Sequence, residues 1–268
     1  MIITIIFLAL LGACIGSYMA ARAFRVINEH EIDAWGRSAC MSCRRTLEAV
    51  DLVPILSFIF YKGKCRTCGE NISLLYIFVE SVTALLFVIA GTSLLTDVLL
   101  TFEITAIIKL VLVLIFVSIL VYISIVDIYI QAFPIGGLLI ATGFYIVSSA
   151  VLGMPLSFME SLSGIIFFLS VFILFRVGGK LLFKKEAFGE GDIYLGMFLG
   201  SFLGLGHSIV ALYAAIFSGA LYSLYIVLLK DKPKATIPFA PFLCFGALVA
   251  YFFAPGILDW YQNAFFLA

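Results

Sequence analysis

Apolar residues run through this chain in long uninterrupted blocks, and the polar residues collect between them. Eight blocks stand out: 1–21, 74–95, 104–126, 134–152, 158–175, 193–205, 208–229 and 237–257. Most approach the roughly 20 apolar residues an α-helix needs to cross a bilayer. The pattern predicts an all-α polytopic membrane protein with about eight transmembrane helices. The sixth block is short and carries Gly196, Gly200 and Gly204 at four-residue spacing. Small residues so spaced let helices approach closely, so this block is expected to pack among others, close to the seventh. The first block lacks a basic leading segment and exceeds the usual apolar stretch of about 7–15 residues in a signal peptide. It is expected to be a retained helix with its N-terminus outside.

Composition supports this class. The chain is 64% hydrophobic and 12% charged, against about 25% charged in soluble domains. The formal net charge is zero, which gives no reason to expect a nucleic acid partner; what matters is where the charges fall. Arg22 and Arg25 close the first block, and Arg37, Arg44, Arg45, Lys62, Lys64 and Arg66 fill the loop after it. Arg176, Lys180, Lys184 and Lys185 separate the fifth and sixth blocks, and Lys230, Lys232 and Lys234 the seventh and eighth. All fall on one side of an eight-span topology, which the positive-inside rule makes the cytoplasmic side. Lys109 is the exception, one turn into the third block, where it can snorkel outward. The opposite loops carry Asp97, Glu103 and His207.

This charge map gives meaning to two acids. Asp127 ends an outside-to-inside block, and Asp192 opens an inside-to-outside block within Gly189-Glu190-Gly191-Asp192. Both are expected at the cytoplasmic face. Gly189 and Gly191 allow unusual dihedrals and close approach by another chain. Acids at the membrane mark proton relays, ion pathways or catalysis more often than packing. At one depth, the pair suggests an aspartyl protease dyad sharing one proton. Asp192, at a helix start, is favoured as the anion and base; Asp127, near a helix end, as the acid. Glu80, about two turns into the second block, is a further intramembrane acid, open to a structural or a ligand-binding role.

Segment 26–73 is too polar to span and too short for a large core. Its Cys40-Met41-Ser42-Cys43 and Cys65-Arg66-Thr67-Cys68 have the spacing of a four-thiolate zinc knuckle, a staple that so small a domain generally needs. Two disulfides are the competing reading, disfavoured by a reducing cytoplasm; thiol redox chemistry is a third. The neighbouring arginines and lysines would offset thiolate charge, attract anionic lipid headgroups, or simply set topology. Cys14 and Cys244, in apolar blocks, read as small core residues. The run Asp51-Leu52-Val53-Pro54-Ile55-Leu56-Ser57-Phe58-Ile59-Phe60-Tyr61 is too short to cross and reads as interfacial or packed on the spans. The expected organisation is a first transmembrane helix at 1–25, a cytoplasmic tetracysteine domain at 26–73 and a transmembrane protease domain at 74–268.

Taken in order, these residues resemble the bacterial type IV prepilin leader peptidases, membrane aspartyl proteases of the Gly-x-Gly-Asp class. Gly16-Ser17-Tyr18 with Arg25 resembles the family's opening segment, and Cys40, Cys43, Cys65 and Cys68 its tetracysteine spacing. Asp51 to Ser57, and Ile72-Ser73-Leu74-Leu75-Tyr76 with Glu80, resemble the segments around those pairs. Asp127 with Pro134 is similar to its first catalytic motif, Gly189 to Asp192 to its second, and Pro238-Phe239-Ala240-Pro241-Phe242-Leu243 to the stretch before its last helix. Two departures are Trp35-Gly36-Arg37-Ser38-Ala39, without the usual proline, and Ile135 after Pro134 in place of a polar residue.

The resemblance implies cleavage of the basic leader of type IV prepilin or pseudopilin precursors at the cytoplasmic face of the bacterial inner membrane. It also implies methylation of the new N-terminal amine by S-adenosylmethionine. Implied companions are a structural Zn2+, the methyl donor, the precursors and membrane lipids. No soluble dinucleotide-type glycine fingerprint accompanies the methyl-transfer expectation. The rival readings are a proton- or metal-coupled transporter using Asp127, Asp192 and Glu80, and a membrane methyltransferase or binding protein with inert acids. A transporter would favour acids at mid-membrane depth and an internal repeat, and no clear repeat is seen.

Overall fold

The computed structural model describes residues 2–27, 38–101, 103–132, 134–183, 189–229 and 237–265. Trp35, Gly36 and Arg37, and the cations Lys184, Lys185, Lys230, Lys232 and Lys234, lie outside the described residues, as does the side chain of Asp97. The described helices are α1 (Ile2–Ile27), α2 (Leu56–Phe60), α3 (Leu74–Thr101), α4 (Ile104–Ile130), α5 (Ile135–Leu152), α6 (Phe158–Phe183), α7 (Glu190–Leu229) and α8 (Ala240–Phe265). A single 3-10 turn spans Ala49–Leu52. All but α2 are long and apolar enough to cross a membrane, which makes seven among the described residues. The chain is a multi-pass, all-helical protein of the expected class.

The difference between eight blocks and seven helices lies in α7. The sixth and seventh apolar blocks form one helical run of 40 residues, broken where Gly204 adopts φ 69° and ψ −179°. That backbone region is essentially glycine-only. Straight, α7 would measure about 60 Å, twice the hydrocarbon thickness of roughly 30 Å. The break divides it into limbs of about 21 and 38 Å. Only Gly206 and His207 separate the blocks, and both lie within the helix rather than in the loop expected there, so helical bonding resumes directly after Gly204. Proline and glycine punctuate α5 more conventionally: Pro134 precedes its first turn, and Gly153, at φ 64°, donates its N–H to Ser149 O at 3.1 Å. This is the usual asymmetry of helix ends.

The chain forms two compact units, Met1–Tyr129 and Ile130–Ala268. In the first, α1 and α3 pack as antiparallel neighbours along a seam of small residues. A Cβ on Gly12 would come within 2.8 Å of Thr83 O and of Phe87 Cβ, and one on Gly16 within 3.1 Å of Glu80 Cα. At one end of the seam Gly91 receives Leu8; at the other, Phe24 stacks on Tyr76 with ring centroids 4.7 Å apart.

In the second unit, α7 packs between α6 and α8. Gly196 faces Phe168 and Phe172, Gly200 lies on the backbone of Gly164, and Gly204 faces Leu156 and Glu160. The expected glycine packing face is therefore real, and its partner is α6. Beyond the break, Gly246 of α8 lies on Ala211 O and Ala215 N. Tyr145 of α5, fully buried, sets its ring edgewise on Phe198 and Phe202 at 5.8 and 5.2 Å. Edge-to-face contact of this kind suits the ring quadrupoles.

Candidate metal centre and candidate catalytic acids

The segment between α1 and α3 folds as two copies of one turn. In the first, Arg44 N donates to Cys40 O and Cys40 N to Arg45 O, both at 2.9 Å; in the second, Gly69 N donates to Cys65 O at 3.0 Å and Cys65 N to Glu70 O at 2.8 Å. The bridges flanking them, Ala39 with Thr46 and Lys64 with Asn71, correspond as well. Each turn needs one residue at positive φ, supplied by Arg44 (55°) and Gly69 (72°). Glycine takes that conformation at no steric cost; arginine does not.

The two turns bring the four sulfurs of Cys40, Cys43, Cys65 and Cys68 within 4.8 Å of one another. All four cysteines are free thiols, and Cys40 Sγ lies 3.8 Å from Cys68 Sγ. A tetrahedral ion with bonds of about 2.3 Å to thiolate has edges of about 3.8 Å. The donor set therefore can hold a metal ion and matches one with four soft ligands. Cys65, the buried member, is drawn down to about 6, chiefly by the backbone N–H groups of Cys68 and Thr67. Cys43 is pushed up to about 11: the Arg45 backbone N–H pulls it down, but desolvation and the thiols of Cys40, Cys68 and Cys65 outweigh that pull. Four thiolates in this space repel one another until a cation joins them. Cys14 and Cys244 stand apart from the cluster. Cys244 is buried in α8 as expected, whereas Cys14 is exposed on α1 rather than in the core.

An ionic network backs the knuckles. Arg45 Nη2 donates to Asp51 Oδ2 at 2.8 Å, Glu48 N to the same oxygen at 3.0 Å, and Arg66 Nη2 to Glu48 Oε2 at 2.7 Å. Burial alone would raise the Asp51 carboxyl, but the Glu48 N–H and Arg45 more than offset it and hold the group below its ordinary value. Arg45 and Arg66, expected to offset thiolate charge or set topology, thus also bind the module's own acids. The spacing of Glu48 and Asp51, an acid three residues after another at a turn start, was the available signal.

Glu80 joins this module to the helices. Buried in α3, it accepts the N–H of Ile55 on Oε2 at 2.7 Å and is hydrogen-bonded to the Ser17 side chain of α1. Ile55 has φ 63° and ψ −52°, with Leu56 N donating to Pro54 O at 2.6 Å, a tight turn that is rare and strained. For a β-branched residue this costs on the order of 1–3 kcal/mol, so the carboxylate clamps an unfavourable conformation. Glu80 therefore has a structural role, and its partner is a loop as much as a helix.

Asp127 sits in the last turn of α4, 5% exposed. That helix stops at Ile130, before Gln131 at φ 54°. Asp192 lies in the first turn of α7, partly exposed, with Gly189 immediately before the helix. Both therefore occupy the helix ends expected of them. Asp127 belongs to the first compact unit and Asp192 to the second. Glu190 is engaged within the second unit: Arg176 Nη2 of α6 donates to its Oε1 at 2.9 Å.

Residues 10–94 match the family model described as the bacterial peptidase A24 N-terminal domain, and residues 114–224 that of the type IV leader peptidase family. The chain belongs to this family. A prepilin leader peptidase/N-methyltransferase of Bacillus subtilis is 33% identical over 95% of this chain and 96% of its own length. Proteins of the same name from Aeromonas salmonicida and Myxococcus xanthus are 30% and 33% identical, each over 85% of this chain and over 75% and 64% of their own lengths. No solved structure matches significantly.

Proposed function

We propose that the protein removes the leader peptide from type IV prepilin-like precursors at the cytoplasmic face of the bacterial inner membrane, with Asp127 and Asp192 as the catalytic dyad. The observation that carries this reading is the placement of both acids at helix ends within a chain of the leader peptidase family. The N-terminus of α7 favours the anion of Asp192, and the C-terminus of α4 disfavours that of Asp127. Asp192 takes a proton from water as its oxygen bonds to the scissile carbonyl carbon, while Asp127 gives its proton to the carbonyl oxygen. When the tetrahedral species collapses, the C–N bond breaks and the leaving amine takes the proton held by Asp192. Asp127 recovers its own as the carbonyl re-forms.

The four cysteines hold Zn2+ in a structural role, since four protein thiolates close the coordination sphere and leave no open position. The functional division then follows 1–25, 26–73 and 74–268. The new N-terminal amine is methylated. S-adenosylmethionine, when bound, supplies an electrophilic methyl group for that amine.

The test is incubation of detergent-solubilised protein with a prepilin, comparing the natural chain with Asp127→Asn and Asp192→Asn by gel shift. Both variants should keep their unfolding temperature and lose cleavage. Retained cleavage in either one removes the dyad.

A further inference from the structure

The short helix α2 has a face that no described residue covers. Leu56, Ile59 and Phe60 are 52%, 60% and 79% exposed, and the preceding Leu52 and Val53 are exposed as well. Spacings of three and four residues place 56, 59 and 60 on one side of the helix. Phe58, between them, points the other way, its ring within 2.8 Å of a Cβ built on Gly63. The module therefore has its own interior, and the apolar stripe is turned away from it.

The height of this stripe relative to the membrane is fixed by Glu80. Glu80 lies six residues into α3, about 9 Å from the start of that helix. Its carboxylate holds the Ile55 N–H that opens α2. The apolar span of α3 begins at Leu74, so Glu80 and the start of α2 lie about 9 Å below the end of that span, within the roughly 5–10 Å depth that the apolar face of an interfacial helix reaches. A second marker agrees. The rings of Phe24, Tyr76 and Tyr129 gather at the same end of the helices, as aromatic side chains do at membrane interfaces. Lys62 and Lys64, both exposed, follow the stripe directly and suit anionic headgroups.

We infer that α2 and the turn before it form an interfacial foot. Leu52, Val53, Leu56, Ile59 and Phe60 enter the boundary between acyl chains and headgroups, and the clamp from Glu80 holds the cysteine knuckles at a set height above it. The inference rests on the multi-pass architecture and not on leader cleavage.

It is tested in the full chain with Trp35 and Trp260 replaced by Phe, reconstituted into nanodiscs of phosphatidylethanolamine and phosphatidylglycerol. Single reporters are placed at Leu56→Trp and Phe60→Trp, with Met41→Trp, exposed on the first knuckle, as the aqueous control. Retained metal content and an unchanged unfolding temperature certify each variant, and Ile59→Trp replaces one that fails. Emission at 56 and 60 should be quenched by lipids brominated near the carbonyl end of the acyl chain and spared by aqueous iodide, with the reverse at 41. Iodide quenching at all three positions overturns the inference. So does shielding from both quenchers, or shielding that appears only when prepilin is added, since the face would then belong to protein.

Discussion

Arg176 on α6 and Glu190 at the first turn of α7 are joined by a 2.9 Å hydrogen-bonded ion pair. The contact gives a place to the one residue of Gly189-Glu190-Gly191-Asp192 that the sequence leaves unexplained, tying the start of α7 to α6 two residues before Asp192. Both side chains remain partly exposed, and such pairs contribute about 0.2–1 kcal/mol. Glu190→Gln should therefore shift thermal unfolding only slightly and retain prepilin cleavage. Cleavage lost in Glu190→Gln, with stability intact, would move Glu190 into the chemistry.

The contact of Gly200 with Gly164 is backbone on backbone, and a side chain at either position has no space to enter. Gly200→Leu should destabilise the second unit by at least the ~1–3 kcal/mol of ordinary overpacking. Gly143→Ala is the control, since nothing lies within 4 Å of a Cβ there, and alanine within a helix gains about 0.5–1 kcal/mol over glycine. Thermal unfolding in detergent should separate the two in opposite directions.

Removing the Glu80 carboxylate leaves the Ile55 N–H without its acceptor in a strained turn. Glu80→Leu should cost about 1–3 kcal/mol and raise amide exchange at Ile55, whereas Glu80→Gln, which keeps a carbonyl oxygen, should lose far less. Equal exchange at Ile55 in both variants would show that the clamp is not the carboxylate.

Asp51 gives the knuckle module an acid limit. Its carboxyl is held below the ordinary 3.8, so its contribution is fully present above that value and is lost as the pH falls through the lower folded-state value. Module unfolding, followed by proteolysis between α1 and α3, should become pH-dependent below about 3.8 in the natural chain. In Asp51→Asn the part of that dependence owed to Asp51 should be absent, leaving the loss that follows protonation of the metal-binding thiolates, with lower stability at neutral pH.

Metal removal should act on the same segment. Chelation, or Cys65→Ser, should open the knuckles to protease while α6, α7 and α8 stay protected. Metal below one ion per chain after gentle, chelator-free purification would count against the four-thiolate site.

Local features were legible in the sequence. The apolar blocks, the paired cysteines and the acids at block ends each announce themselves within a few residues. Features made of backbone were not. The acceptor role of Glu80 depends on a main-chain N–H, which leaves no residue signature. The likeness of the two knuckles is masked because Arg44 stands where the second copy has Gly69. The break at Gly204 looks like a loop between spans, since a glycine in a helix and a glycine between helices read alike. The charge map put Asp127 and Asp192 at block ends, and each occupies the helix end that the map assigned.

The two partners of Glu80, Ser17 and Ile55, both precede it in the chain. During synthesis they leave the ribosome first, so the groups that satisfy this carboxylate already exist when α3 enters the membrane. The reverse order would expose a lone acid to lipid for as long as its partners took to be made. The first unit thus carries the partners of its buried acid in the segment made just before it.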